Sequence, residues 1–141
     1  WDMKPDVLLG DEAKWRAFAE ADAAIAASGT VILELALATV PVVSTYKTDW
    51  LMTMVSHRIK TWTGALPNLI ADYPFVPEFL NDYVRPGNLL RMAERLAADT
   101  LQQRAMLEGF DLVWQRLQTT QPSGVEGSRI VLDLLARRGR L

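Results

Sequence analysis

The chain has 141 residues, half of them hydrophobic and 23% charged, which suits one domain able to bury roughly 70% of its unfolded surface and excludes intrinsic disorder. Fifteen Lys and Arg against 17 Asp and Glu give a net charge of −2, without the basic excess that binding to a nucleic-acid backbone demands. There is no cysteine and a single histidine, His57, so disulfides, thiolate chemistry and a multi-histidine metal site are excluded, and no metal or cofactor is expected.

In chain order, residues 7–10 (Val-Leu-Leu-Gly) read as a short buried strand. Asp11 and Glu12 then open a helix to about residue 21, with Trp15, Phe18 and Ala19 at helical spacing. Residues 22–27 are small and apolar, as a buried strand requires, and Ser28-Gly29-Thr30 is a turn from which a helix over 30–38 starts. Pro41 stops that helix, and residues 42–46 (Val-Val-Ser-Thr-Tyr), rich in β-branched and aromatic side chains, form a strand ending at Lys47. The order β, α, β, α, β calls for parallel pairing, so the expected fold is α/β: a three-layer parallel sheet with helices on both faces.

Beyond it, residues 49–59 carry Leu51, Val55 and Ile59 at spacings of four, a helix that also presents Trp50, Met52 and Met54 near Lys47, Arg58 and Lys60. Such a helix is either core or an amphipathic rim for acyl chains or a membrane surface. His57, on it, has no nucleophile or second histidine arranged around it and reads as a helix-surface residue. Residues 63–85, broken by Gly64, Pro67, Pro74 and Pro77, read as a functional loop region with one short strand. The remainder is helical, with apolar stripes at Leu89, Ala93 and Leu96, then Met106, Phe110, Val113 and Leu117, then Ile130, Val131, Leu134 and Leu135. No apolar stretch approaches the ~20 residues that span a bilayer.

The first candidate to carry chemistry is Ser28-Gly29-Thr30, because the turn from a buried strand into a helix offers free N–H groups and a dipole to an anion. Glu34 lies about 6 Å further along the helix axis, a spacing that suits a ribose with two hydroxyls when phosphate sits at the helix start. The bland alternative is that Ser28 or Thr30 caps the helix and Glu34 is a solvated carboxylate. Asn68, after Pro67, reads on its own as a turn residue using its amide to bond its own backbone.

Ala-Ser-Gly-Thr at 27–30, Glu34, Pro41-Val42-Val43 leading to Tyr46-Lys47, and Leu66-Pro67-Asn68-Leu69 recur in this order in a known family. In that combination the chain resembles the lipid-A-disaccharide synthases, most strongly over residues 22–81 and more weakly to about residue 136. These are inverting glycosyltransferases of the GT-B type, with two Rossmann-like domains, the C-terminal one holding the sugar nucleotide. The resemblance implies that residues 1–141 are a partial C-terminal donor domain, followed through its C-terminal helices. The family's N-terminal acceptor domain, with its general base, would precede Trp1, and this piece alone is expected to be inactive.

What the resemblance implies for the site is a donor diphosphate on Ser28, Gly29 and Thr30, ribose hydroxyls on Glu34, and Asn68 beside the donor. Tyr46-Lys47 stands where the family usually has Tyr-Arg, keeping the charge without the forked geometry. Glu78 belongs to a Pro-Glu-Phe-Leu-Asn run in which Asn81 replaces the family's Gln. The implied parent reaction joins UDP-2,3-diacylglucosamine to 2,3-diacylglucosamine 1-phosphate in lipopolysaccharide synthesis, in the cytoplasm of a Gram-negative cell and peripherally on the inner face of the inner membrane. Its partners are then the UDP-sugar donor, the acylated sugar phosphate acceptor and the membrane surface. A homodimer is expected through the sheet edge that lacks its first strand. Another UDP-sugar glycosyltransferase or epimerase domain, or a non-catalytic nucleotide-binding or interaction module, stays open as an alternative.

Overall fold

The computed structural model describes residues 4–27, 29–48 and 61–138. Three parallel strands, β1 (Ala24–Ala27), β2 (Val42–Tyr46) and β3 (Glu78–Leu80), lie in the order β1-β2-β3. The register pairs Ala24 with Val42 and Ala27 with Thr45 on one side of β2, and Ser44 with Glu78 and Tyr46 with Leu80 on the other. The helices are α1 (Asp11–Glu20), α2 (Thr30–Leu37), α3 (Leu66–Ala71), α4 (Pro86–Ala97), α5 (Leu101–Leu117) and α6 (Ser123–Arg137), with one 3-10 turn at Asn81–Tyr83.

Val42 and Val43 follow one another in β2 and therefore point to opposite faces, yet both are fully buried. The central strand is thus covered on both sides, which is the Rossmann-like sheet expected, and its β-branched run is what such a position selects. Helices α2 and α4 both pack on β1 and β2. Ile32, Leu35 and Ala36 of α2, Leu96 of α4, and Met106 and Phe110 of α5 close one continuous core with these valines. The Val42 N–H is even turned onto Met106 Sδ at 3.4 Å, a weak acceptor.

Helix α2 ends on Thr39, a β-branched residue at φ 57, where the Val40 N–H bonds the Leu35 carbonyl at 2.9 Å. A glycine is the usual occupant of that left-handed position, so the sharp reversal into β2 is held by these backbone bonds rather than by residue preference.

Two expectations fail here. Residues 7–9 form no strand: Val7 is 81% and Leu9 86% exposed, with no sheet edge paired to them, and an apolar run cannot be a buried strand without a neighbour. The described order therefore starts α, β, α, β. Within residues 63–85 the short strand is present as β3, but α3 precedes it. Pro67 sits in the first turn of α3, where a missing N–H costs nothing, and Asp72 closes it at φ 58.

The three C-terminal helices form as the periodicity indicates, but the last stripe is not core. No residue of α6 is buried, and Ile130 and Leu134 are each about half exposed. The helix expected over 49–59, with His57, lies outside the described residues, as does Ser28.

Candidate functional site

The parallel sheet carries the turn after β1 and the exit of β2 to the same, carboxyl, edge, the side of an α/β sheet on which ligands bind. Gly29 has φ 144 and ψ −163, a conformation in which an L side chain is strained, although a Cβ there would meet nothing within 4 Å. The glycine is therefore required by backbone shape, and the space beside it is open. Gly29 brings no capping side chain to α2, and Thr30, its first residue, is exposed. Tyr46 and Lys47 leave β2 exposed at the neighbouring position.

One turn into α2, Glu34 is not a free carboxylate. Its Oε2 receives Lys14 Nζ of α1 at 3.0 Å, and the same ammonium lies 3.2 Å from Asp11. Hydrogen bonding to Glu34, then to Asp11, holds the Lys14 pKa above its ordinary value. Lys14 escapes sequence reading, because a lysine on an amphipathic helix carries no signal of the carboxylate 20 residues on.

At the exit of β3, Asn81 Oδ1 accepts from both the backbone N–H and the hydroxyl of Thr48, each at 2.8 Å, tying the ends of β2 and β3 together. Asn81 sits at φ 49, a left-handed conformation that asparagine tolerates better than most residues. The shorter side chain thus does a backbone-anchoring job suited to its length.

Glu78 and Asn68 form a second group, bridged by Thr63. Asn68 is fully buried, and its Oδ1 accepts from the N–H groups of Phe75 (3.0 Å) and Val76 (2.8 Å). Its Nδ2 donates to the Val76 carbonyl (3.0 Å) and to Thr63 Oγ1 (3.2 Å). The Thr63 hydroxyl donates to Glu78 Oε2, and the Gly64 N–H donates to Glu78 Oε1 at 3.0 Å. Asn68 is not the turn residue expected: it lies within α3, and its amide reaches the backbone of Phe75 and Val76, seven and eight residues on.

By register Glu78 is level with Ser44, two residues or about 7 Å short of the carboxyl edge. The Ser44 hydroxyl is buried without a hydrogen-bond partner among the described residues. Beside the cluster lies a cleft of about 310 Å³ lined by Trp62, Thr63, Asn68, Phe75, Glu78 and Gln102. Among the described residues no three His, Asp or Glu side chains gather as metal ligands would, and no helix is long and apolar enough to cross a membrane.

The open glycine turn at the sheet edge, with Glu34 one turn behind it, can take an anion and a hydroxyl, while Glu78 and Asn68 line a cleft whose walls include none of the turn residues. The family model for lipid-A-disaccharide synthetase matches residues 2–123. The lipid-A-disaccharide synthase of Rhodopseudomonas palustris (strain HaA2) is 36% identical over 140 residues, 97% of this chain and 35% of the relative. That of Nitrobacter winogradskyi is 34% identical over 144 residues, covering 100% of this chain and 36% of the relative. That of Ruegeria pomeroyi is 41% identical over 124 residues, 86% and 30% respectively. The chain spans about a third of the length of these relatives. With a family match over most of its length and a parallel α/β sheet beneath it, the chain belongs to the lipid-A-disaccharide synthase family.

Proposed function

We propose that this chain is the sugar-nucleotide-binding, C-terminal part of a lipid-A-disaccharide synthase. In the complete enzyme it holds UDP-2,3-diacylglucosamine for transfer to 2,3-diacylglucosamine 1-phosphate, forming the lipid A disaccharide at the cytoplasmic face of the inner membrane. By itself it binds donor and transfers nothing. The observation that carries the reading is the family match running through the Gly29 turn, with Gly29 in a glycine-only conformation at the carboxyl edge of the sheet.

In this reading the donor diphosphate lies against Ser28, Gly29 and Thr30, where the N–H groups of the first turn of α2 and the helix dipole favour negative charge. Lys47, with Tyr46 beside it, adds a cation at the exit of β2. Glu34 accepts from the ribose hydroxyls. Lys14 makes that tolerable, because a carboxylate one turn from a diphosphate is repelled unless a cation is paired with it. Asn68 and Glu78 belong to the sugar end. When the acceptor hydroxyl attacks the anomeric carbon in line, negative charge grows on the departing UDP, and the same N–H groups and Lys47 stabilise it.

The test is a calorimetric titration of UDP into the chain beside Glu34→Ala. Saturable binding is expected, weakened about tenfold by the substitution because a hydrogen bond to a charged group is lost. Absence of binding, or binding indifferent to Glu34, would overturn the assignment.

A further inference from the structure

Asn68 cannot contact a ligand by hydrogen bonding, because an amide has two N–H donors and two acceptor lone pairs and all four are engaged within the chain. Its orientation is not arbitrary. Two backbone N–H groups, which can only donate, face one end, so that end must be the oxygen. The NH₂ end is then left to meet the Val76 carbonyl and Thr63.

The direction of the next bond follows. Thr63 Oγ1 accepts from Asn68 Nδ2 and from the Ala65 N–H at 3.2 Å, which fills both of its lone pairs. Its one proton is committed to Glu78 Oε2, while the Gly64 N–H holds Oε1. The bonds run one way, from the backbone of residues 75 and 76 through Asn68 and Thr63 to the carboxylate, and such chains polarise one another in the same sense. Thr63 is 6% exposed and Asn68 0%, so both are locked by packing.

We propose that Asn68 and Thr63 are positioning residues that hold the Glu78 carboxylate as a fixed acceptor for a hydroxyl of the hexosyl group of a sugar nucleotide. The proposal rests on the sugar-nucleotide reading above and adds that Asn68 acts through Thr63 on Glu78 rather than on the sugar itself. Both oxygens of Glu78 are oriented by donors, yet among the described residues about half of its lone-pair directions have no donor, and they can only accept. An anion there repels phosphate, so the neutral, hydroxyl-bearing part of the donor is the part that fits. The cleft that Glu78 lines also carries the half-exposed ring of Trp62, an apolar face of the kind on which the C–H side of a sugar packs.

The experiment compares UDP with UDP-N-acetylglucosamine as calorimetric probes of the chain and four variants. Wild type should bind the sugar nucleotide more tightly than UDP. Thr63→Val should lose about tenfold on the sugar nucleotide and nothing on UDP, Thr63→Ser should restore it, and Glu78→Ala should match Thr63→Val. The double variant Thr63→Val, Glu78→Ala should be no worse than Glu78→Ala alone, a coupling that a general structural role would not produce.

Equal losses on both probes, additive losses in the double variant, or a sugar preference that survives Thr63→Val would overturn the proposal. Should Thr63→Val not fold, Glu78→Ala decides alone, since it must abolish the preference for the sugar nucleotide. Wild type that binds UDP without preferring the sugar nucleotide overturns this inference and leaves the nucleotide reading standing. Wild type that binds neither overturns both.

Discussion

Glu34 and Glu78, the two carboxylates proposed for the donor site, are held by opposite means. Glu34 is bonded by the ammonium of Lys14 at 3.0 Å, on a part-exposed surface where both partners are long and mobile side chains. Glu78, at the start of β3, is bonded by neutral donors, the Thr63 hydroxyl and the Gly64 N–H, and Thr63 is itself bonded by the wholly buried Asn68. Charge holds the first and geometry the second. A charge-held group follows its ligand and weakens in salt, whereas a hydrogen-bonded one is aimed before the ligand arrives and is indifferent to salt. The two ends of the site are thus built to different tolerances, and each can be broken separately.

The largest effect is expected at the geometric end. Asn68→Ala removes four hydrogen bonds and leaves the Val76 N–H and carbonyl buried without partners, along with the part-buried Phe75 N–H. Each such group costs about 1–3 kcal/mol, so a loss of about 3–5 kcal/mol is expected from urea unfolding. Asn68→Asp keeps an oxygen for the two N–H groups and loses the donors, and should lie between wild type and Ala. A loss under about 1 kcal/mol for Asn68→Ala would mean that the loop relaxes and that Glu78 is not rigidly aimed.

Gly109→Ala tests the same rigidity from the other side. A Cβ on Gly109 would stand 2.5 Å from Cδ2 of Phe75, a ring already packed edge-on against Phe110 at 5.7 Å. Alanine gains about 1 kcal/mol of helix propensity in α5, but forced overpacking costs about 1–3 kcal/mol. Because the Phe75 N–H is tied to Asn68, the ring cannot simply withdraw, and a net loss of about 1–2 kcal/mol is expected by chemical denaturation. In the Asn68→Ala background the loop is free to move, so the cost of Gly109→Ala should shrink; full additivity would break the link between them.

What was readable in the sequence divides along the same line. Period and composition disclose β1, α2, β2 and the helices α4 and α5, because backbone pairing and apolar burial repeat at fixed spacings. Pro67 disguised α3, since proline in a first turn looks like an interruption until the N–H accounting is done. Val7 to Leu9 have strand composition, but composition does not provide a neighbouring strand. The α6 stripe at Ile130 and Leu134 was legible as a helix and not as a surface, because a periodic pattern tells which side is apolar and not what covers it. In the site, Gly29, Glu34 and Asn68 stand out by position. Lys14 and Thr63 do not, because a side-chain hydrogen bond across 20 or 15 residues leaves no periodic trace.

The smallest effect is expected at the charged end, and its signature is pH and salt rather than size. The Lys14 pKa is raised above 10.5 in the folded chain by its hydrogen bonds to Glu34 and then Asp11. A raised pKa contributes stability that is complete below the unfolded value and is lost as pH rises through the folded one. Lys14→Met, which keeps an apolar stem, should therefore lower the unfolding midpoint slightly at neutral pH and low salt. The difference from wild type should narrow in 1 M salt, where the Debye length falls to about 3 Å, and vanish above the folded pKa of Lys14. Lys14 also lies over the ring of Trp15 at 5.5 Å. A midpoint difference that persisted unchanged through salt and alkali would assign the contribution of Lys14 to packing on that ring, and Glu34 would then not be held by charge.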